Sequence, residues 1–400
     1  EKVGVALTKL TPNPKVLVGR DTRISGEKLL NSLAGGLEFG GAEVVDLGIV
    51  PTSCVSYLTK ILGYDYGVMI TASHNPSEYN GIKIFNSNGY KLNETQETEI
   101  EKIIDSIQSP KFVAKNIVSA QKRAYLELLY NAMPHTKKLE VFLDCANGSA
   151  SIIAPKVFKK LGHNVFVIND DGEINKNAGV LDEKIFRQKF LESGAEIGFC
   201  FDGDADRVMC ITKNGVLDGD RILYILSKFN NEKFAVGTIM TNYALEKHLS
   251  SIGTKLIRTD VGDKYIAREM KSKKYHIGAE QSGHVIISKF MSTGDGILTA
   301  VVLASIYQTN KEIFDEALDL KMFPVFSTAV VTENKKVIKS DDFLNFKAQL
   351  SHELVLGRIV VRPSGTEPKI RITVEDENIE NCQKIAEKIK NYIENKIKNN

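Results

Sequence analysis

Short apolar runs and longer amphipathic stretches alternate along most of this chain. Residues 15–18 have the pattern of a strand, the stretch ending at Phe39 that of a helix, and residues 43–45 that of a second strand. The same order recurs in residues 139–168 and again in residues 235–257. Each segment predicts a β-α-β unit, and three separate units favour three α/β domains over one large sheet.

The C-terminal part of the chain has a different pattern. Alternating positions predict strands at 358–361 and 369–374, and an amphipathic helix follows from Ile379. This order predicts a smaller α+β domain, with Pro324 close to the linker before it. The fold class is therefore α/β, and we place boundaries that give four domains around a central cleft, at 1–133, 134–231, 232–321 and 322–400.

The composition is that of a soluble globular protein, with 42% hydrophobic and 26% charged residues. No apolar run approaches the ~18 residues of a membrane span, so we expect no membrane association. The five cysteines lack metal-type spacing and no secretory leader opens the chain, which favours a cytoplasmic location. A net charge of +2 argues against nucleic acid as a partner, and a homodimer is compatible with the sequence.

One serine stands where an apolar run meets a polar turn. Residues 67–70 predict a strand that delivers Ser73 into the turn 71–76, so the hydroxyl is presented rather than buried. A Ser-His hydrolase is the first alternative, but no Gly-x-Ser-x-Gly elbow surrounds Ser73, and adjacent side chains such as Ser73 and His74 rarely face each other. A serine that carries a phosphoryl group needs no such triad.

Three carboxylates follow the apolar run 197–201, at alternate positions where that strand ends. They belong to Asp202, Asp204 and Asp206, and together they suit a hard divalent cation such as Mg²⁺. An EF-hand is excluded because Arg207 and Lys213 stand where its glycine and glutamate are required. A solvated acidic turn is the alternative. Arg207 would offset the remaining negative charge or contact a phosphate.

Two further loops carry polar groups in patterns that suit a ligand. Alternation predicts that Glu280, Ser282 and His284 point one way, where a polyhydroxylated molecule would find donors and acceptors. A plain surface loop is the alternative. The loop after residue 361 predicts an anion cradle, against an ordinary hairpin loop, and its ligands would be Arg362, Ser364, Gly365 and Thr366. Residues 19–26 have a similar but less specific pattern. In the simplest interpretation, ion pairs of these residues fix the position of the loop.

These four motifs resemble those of the α-D-phosphohexomutase family over nearly the whole chain. The stretch 71–76 is similar to the family's phosphoserine loop and 202–207 to its metal loop, while 280–284 and 362–368 are similar to its sugar and phosphate loops. The resemblance implies three related α/β domains and a fourth of TATA-binding-protein-like topology. Nucleotide-binding motifs are absent, so the phosphoryl group is expected to come from the substrate.

The resemblance also implies a reaction and a set of roles. Ser73, activated by phosphorylation, would pass its phosphoryl group to a hexosamine phosphate and regain one from the bisphosphorylated intermediate, converting a 6-phosphate into a 1-phosphate. One Mg²⁺ would be held by Ser73 and the three aspartates. Arg207 is among the catalytic residues, and proton transfer is left open between Lys83 and His284. The substrate would contact the remaining site residues: His74, Glu280, Ser282, His284, Arg362, Ser364, Gly365 and Thr366.

Several alternatives stay open within this resemblance. Gln281 and Ala205 favour a hexosamine phosphate, with mannose or glucose phosphate as the alternative substrate. A catalytically silent sugar-phosphate-binding protein and a Mg²⁺-dependent phosphatase are the other functions to test. The chain opens at Glu1 without the Gly-Thr-Asp-Gly-x-Arg-Gly segment of the family, which predicts either a fragment or an impaired protein.

Overall fold

The computed structural model describes residues 1–108, 111–114, 116–364 and 367–398. Four sheets follow one another along the chain, each with helices packed against it. The prediction of three α/β domains followed by a smaller α+β domain is confirmed. The domain boundaries stay a prediction.

The first sheet is built from strands that carry mainly apolar side chains on both faces. Its elements are α1 (Lys2–Leu10), β1 (Lys15–Arg20), α2 (Gly26–Phe39), β2 (Glu43–Ile49), α3 (Thr52–Leu62), β3 (Tyr66–Ile70), β4 (Ile82–Asn86), α4 (Glu94–Ser106) and β5 (Val118–Ser119). The strand order is β4-β3-β1-β2-β5, with β4 antiparallel to β3 and the other pairs parallel. Helices cover both faces, as a largely parallel sheet requires.

The second sheet has the order β10-β9-β8-β6-β7, in which β8, β6 and β7 are parallel. Its elements are α5 (Arg123–Asn131), β6 (Glu140–Asp144), α6 (Ala150–Lys160), β7 (Asn164–Ile168), a 3-10 helix (Gly179–Leu181), α7 (Glu183–Ser193), β8 (Ile197–Phe201), β9 (Val208–Thr212) and β10 (Gly215–Leu217). The turn from β8 into the antiparallel β9 contains the three aspartates, so they lie at a strand end as predicted.

The third sheet has the order β12-β11-β13-β14, with β14 antiparallel to β13. Its elements are α8 (Gly219–Phe229), β11 (Phe234–Thr238), α9 (Tyr243–Ser251), β12 (Lys255–Thr259), α10 (Asp263–Lys273), β13 (Ile277–Ala279), β14 (Val285–Ile287), α11 (Gly296–Thr309) and α12 (Glu312–Asp319).

The fourth sheet is a three-stranded antiparallel one, of order β15-β17-β16. Its elements are β15 (Val325–Val331), a 3-10 helix (Lys335–Lys339), α13 (Asp341–Ser351), β16 (Arg358–Pro363), β17 (Lys369–Glu375) and α14 (Ile379–Lys398). The two predicted strands and the predicted amphipathic helix of this segment are all present.

Helix α11 joins the first three domains. Its residues from Gly296 to Gln308 are all buried, as expected for a helix that is apolar around its whole circumference. They belong to one continuous core that also includes Leu17 of β1, Val141 of β6 and Ala235 of β11. The loops at these strand ends are therefore held in a fixed relation to one another.

The fourth domain has a separate core and meets the third through a buried ion pair. Arg358 donates to Glu375 at 2.8 Å and to the carbonyl oxygen of Thr241 at 2.5 Å. Glu375 also accepts a bond from the backbone N–H of Tyr243, at the start of α9, at 3.0 Å. This contact sets where the fourth domain sits beside the third.

Among the described residues, none of the helices combines the length and the apolar character that crossing a membrane would require.

Asp295 caps the N-terminus of α11 and contacts helix α5. Its carboxylate accepts bonds from the backbone N–H of Leu298 and from the hydroxyl of Tyr125, each at 2.9 Å. Burial raises the pKa of Asp295 to about 6, against the opposing effect of these hydrogen bonds. Stability that this carboxyl group contributes below pH 4 is therefore lost as the pH rises through 6.

We predict that Asp295→Asn removes this loss, because asparagine keeps the cap but does not ionise. From pH 4 to pH 7.5 the free energy of unfolding of the variant should rise relative to that of the parent by at most about 3 kcal/mol, and its melting temperature should rise with it. Thermal unfolding at both pH values measures it. A difference that does not change with pH would contradict the prediction.

Candidate active site

Ser73 lies just after β3 and faces the aspartate loop of the second domain. Its hydroxyl donates to Asp202 Oδ2 at 2.7 Å, and its side chain is partly exposed. The backbone has a φ of 50° at Ser73, in the left-handed region, and the N–H donates to Thr71 Oγ1 at 2.9 Å. The structure thus presents this hydroxyl to a carboxylate of another domain instead of packing it in a core.

The Ser73 loop is held from beneath by Arg23. This guanidinium is buried, pairs with Asp21 at 3.0 Å, and donates to the carbonyl oxygens of Ser73 at 3.0 Å and Asn75 at 2.8 Å. Asn175 donates to the same two carbonyl oxygens from the second domain. The interpretation that ion pairing ties down loop 19–26 is correct, and that loop in turn supports the serine.

The three aspartates form a compact buried cluster. One carboxylate oxygen from each of Asp202, Asp204 and Asp206 lies within 4.8 Å of the others. Within the part of the chain that the structure describes, Asp204 Oδ1 and Asp206 Oδ1 are buried and have no hydrogen-bond partner. Unpartnered carboxylate oxygens on a shared face fit a hard divalent cation, so these residues could bind a metal ion.

Lys83 supplies positive charge to this cluster from β4 of the first domain. Its ammonium lies 2.6 Å from Asp204 Oδ2 and 3.0 Å from Asp206 Oδ2. Burial would lower the pKa of Lys83, but the two carboxylates outweigh it and raise that pKa. The pKa of Asp206 is held well below its usual range, because Lys83 and then His284 outweigh the effect of burial. Burial, and then repulsion by Asp206 and Asp204, raise the pKa of Asp202.

His284 lies behind Asp206, out of contact with water. Its Nδ1 is 3.7 Å from Asp206 Oδ2, its Nε2 is 3.6 Å from Asp263 Oδ2, and only 2% of the side chain is exposed. The two carboxylates raise the pKa of His284 against the effect of burial. The backbone N–H of Gly294 donates to Nε2 at 3.0 Å, however, and this geometry favours the neutral ring with its proton on Nδ1, towards Asp206.

The expectation that Glu280, Ser282 and His284 point one way is wrong for His284. The chain reverses in a tight turn, in which Gly283 N–H donates to the Glu280 carbonyl oxygen at 3.0 Å and Gly283 has a φ of 91°. The alternation of an extended strand therefore does not apply. Glu280 and Ser282 remain partly exposed, whereas His284 is buried.

The fourth domain places Arg362 at the end of β16, beside Arg371 on β17. Within the described residues Arg362 makes no ion pair, while Arg371 pairs with Glu367 at 2.6 Å. Burial and then repulsion by Arg371 lower the pKa of Arg362, partly offset by Glu280 across the cleft. An unpaired guanidinium under this repulsion favours an anion. Ser364 lies beside it, with its N–H bonded to the Lys369 carbonyl oxygen at 2.8 Å, and Gly365 and Thr366 lie outside the described residues.

Two other predicted residues lie on the same cleft. His74 Nδ1 is 3.5 Å from the Ser73 hydroxyl, and burial followed by the charge of Arg207 lowers the pKa of His74, so the ring is neutral. Burial would lower the pKa of Arg207, but the aspartates and Glu280 outweigh burial and raise that pKa. The sequence did not indicate Asp263, Lys91 or Asn175, because no local pattern surrounds them.

The chain belongs to the phosphoglucomutase/phosphomannomutase family. Family models described as Phosphoglucomutase/phosphomannomutase, alpha/beta/alpha domains I, II and III match residues 1–111, 123–215 and 218–322, and the C-terminal-domain model matches residues 327–391. The resemblance to phosphohexomutases that the motifs indicated is confirmed.

Two relatives of this chain carry a more specific name than that of the family. The phosphoglucosamine mutase of Clostridium beijerinckii is 39% identical over 98% of this chain and 92% of its own length. That of Clostridium botulinum is 40% identical over 98% and 93%. A solved structure of a phosphoglucomutase/phosphomannomutase family protein from Burkholderia thailandensis has a TM-score of 0.78 at 23% identity, covering 96% of this chain and 91% of that one, and shows the shared fold.

We predict that Lys83→Met strengthens binding of a divalent ion at the aspartate cluster by about tenfold or more, since the ammonium no longer occupies the carboxylates. Titration with Mn²⁺ followed by electron paramagnetic resonance measures the affinity without any turnover. Lys122→Met is the matched control, because the Lys122 ammonium bonds the Ile49 carbonyl oxygen and no carboxylate. Equal or weaker Mn²⁺ binding in Lys83→Met would refute the prediction.

Proposed function

We propose that this chain is a phosphoglucosamine mutase that interconverts glucosamine 6-phosphate and glucosamine 1-phosphate. The observation that carries the proposal is the Ser73 hydroxyl, 2.7 Å from a carboxylate of a buried three-aspartate cluster. Two relatives that are about 40% identical over nearly the whole chain bear that name, which supports the choice of sugar. The product would be a precursor for nucleotide-sugar and cell-wall synthesis.

The proposed reaction is an exchange of phosphoryl groups through Ser73. The bond between Ser73 Oγ and phosphorus breaks as a sugar hydroxyl oxygen forms a bond to that phosphorus. The sugar hydroxyl gives up its proton, and the departing Ser73 oxygen gains one, so that serine is restored. The bisphosphorylated sugar then reorients in the cleft, and its other phosphoryl group is transferred to Ser73. A Mg²⁺ ion held by Asp202, Asp204, Asp206 and the serine phosphate would neutralise charge on the transferred group.

Burial favours Lys83 over His284 as the residue that accepts the proton. The Lys83 side chain is 20% exposed, whereas that of His284 is 2% exposed and lies behind Asp206. In the free protein two carboxylates hold Lys83 charged, so it can accept a proton only after they are withdrawn from it. A divalent cation bound by Asp204 and Asp206 would offset their negative charge and so favour the neutral amine.

The remaining roles follow from charge and exposure. Arg207 sits among the aspartates and Glu280, where it can balance a transferred phosphoryl group. Glu280 is partly exposed and has its Oε1 atom 3.2 Å from the Gly262 N–H, so the other oxygen is available to sugar hydroxyls. Ser282 and His74 are also partly exposed, and we assign them to substrate binding. Arg362 with Ser364, Gly365 and Thr366 would bind the phosphate distal to the reaction.

Ala205 and Gln281, the two residues that favoured a hexosamine phosphate, differ in whether a substrate can reach them. Ala205 is fully buried, with a φ of 54°, and its carbonyl oxygen accepts a bond from Gly296 at 2.9 Å, so it cannot touch a sugar. Gln281 is partly exposed in the sugar loop and can contact one. A cytoplasmic location and a homodimer stay predictions.

A coupled assay with glucosamine 6-phosphate, mannose 6-phosphate and glucose 6-phosphate tests the substrate. We expect kcat/KM to be at least about tenfold higher for the amino sugar, a difference of about 1.4 kcal/mol. A tenfold preference for a neutral sugar phosphate would be consistent with a mutase, but it would show that the choice of glucosamine phosphate as the substrate is wrong. Release of inorganic phosphate without isomerisation would indicate a phosphatase.

We predict that Ser73→Ala abolishes turnover, by about a thousandfold or more, because no other group can take the phosphoryl group in transit. Ser77→Ala in the same loop is the control and should keep activity, since among the described residues its hydroxyl bonds Glu173 alone, at the surface. Mass spectrometry of the parent should find phosphate on Ser73 that passes to substrate. A stably unmodified Ser73 with tight sugar-phosphate binding would support a silent binding protein instead.

A further inference from the structure

A cavity of about 450 Å³ lies between the first and third domains, beside the catalytic cleft. One wall is the turn before α4, with Tyr90 and Asn93, and the other is the side of α10 that carries Arg268 and Lys271. Ser73, the three aspartates, Glu280 and Arg362 do not line it. Its size falls in the range of roughly 300–1,000 Å³ that small-molecule sites occupy.

The charges along this cavity do not balance. Lys91 is paired with Asp263, and Lys264 lies 3.2 Å from Glu94 and 3.7 Å from Glu97. Arg268 and Lys271 have no carboxylate within 4.0 Å anywhere in the described part of the chain. The cavity therefore carries two positive charges without an ion-pair partner among the described residues, one helical turn apart on the same face of α10, with Glu94 as an opposing charge near Arg268.

Aromatic rings hold both cations in place. The Lys271 ammonium lies 4.1 Å from the centre of the Tyr90 ring, on the wall opposite its own helix. The Arg268 guanidinium lies 5.2 Å from the centre of the Tyr265 ring. Such contacts orient the cations without neutralising them, so their hydrogen-bond donors stay available to a ligand.

We propose that this cavity binds a small phosphorylated metabolite as a dianion, with Arg268 and Lys271 as its cationic ligands. A phosphate monoester matches both the double charge and the forked donors of arginine. Its organic part would lie against the tyrosine rings.

The position of the cavity would couple such a ligand to the catalytic centre through Asp263. Asp263 lines the cavity and bonds Lys91 on that side, while His284 lies 3.6 Å from Asp263 on the other. The bound metabolite would thus share one wall with the aspartate cluster.

A fluorescent reporter tests the proposal, because the chain contains no tryptophan. In Tyr90→Trp the indole replaces the ring beneath Lys271 and is the sole tryptophan. Inorganic phosphate, glycerol 3-phosphate and glucosamine 6-phosphate are titrated in turn. We expect a saturable fluorescence change with the monoesters. A response to glucosamine 6-phosphate alone would assign the site to the substrate class, and a response to both monoesters to phosphate monoesters in general.

Three variants in the Tyr90→Trp background locate the response. Arg268→Gln with Lys271→Gln should raise the dissociation constant at least about tenfold. Lys255→Gln with Lys273→Gln makes the same change of charge at exposed lysines that do not line the cavity, and should leave it within about twofold. Arg362→Gln, in the cleft, should also retain the response.

Three results would overturn the proposal: no saturable change with any of the three anions, an unchanged dissociation constant in the Arg268 and Lys271 variant, or a response lost in Arg362→Gln. The last would show that the reporter senses the catalytic cleft. Circular dichroism checks folding, and Arg268→Gln alone serves if the double variant does not fold.

Discussion

Three carboxylates held together out of water are the constraint on which the rest of this structure depends. Two like charges 4 Å apart repel by about 4 kcal/mol at the effective dielectric of a protein surface, and more in its interior. A loop that contains Asp202, Asp204 and Asp206 is therefore stable only beside a cation. In the free protein Lys83 is that cation, and it comes from another domain. The electrostatic requirement of one loop thus adds an ionic contact between the first two domains to the core that they share.

The four domains are not joined to one another in the same way. One core built around α11 joins the first three domains, so the Ser73 loop and the aspartate loop have a fixed separation. The fourth domain has its own core and reaches the third through Arg358 and Glu375. Groups that must meet to within hydrogen-bond distance lie on the shared core, and the group that would hold the far end of a substrate lies on the separate domain.

Local patterns were informative where chemistry follows a strand directly. Ser73 and the three aspartates were predictable because a polar residue just after a buried strand is presented at the sheet edge. The same reasoning failed for His284, since the turn at Gly283 ends the alternation on which it rested. Asn175, Asp263 and Lys91 act through partners that are far away in the sequence, and no spacing along the chain reveals such pairs.

The sequence by itself determined the order of four α/β and α+β units, and it predicted which four polar loops form the site, because periodicity and strand-end composition are local properties. Only the tertiary structure decided that Lys83 sits inside the aspartate cluster and that His284 lies behind it. It also decided that Arg268 and Lys271 have no carboxylate partner within the part of the chain that the structure describes. Those facts depend on which domains face each other, and burial, charge balance and pKa are properties of that arrangement rather than of any segment.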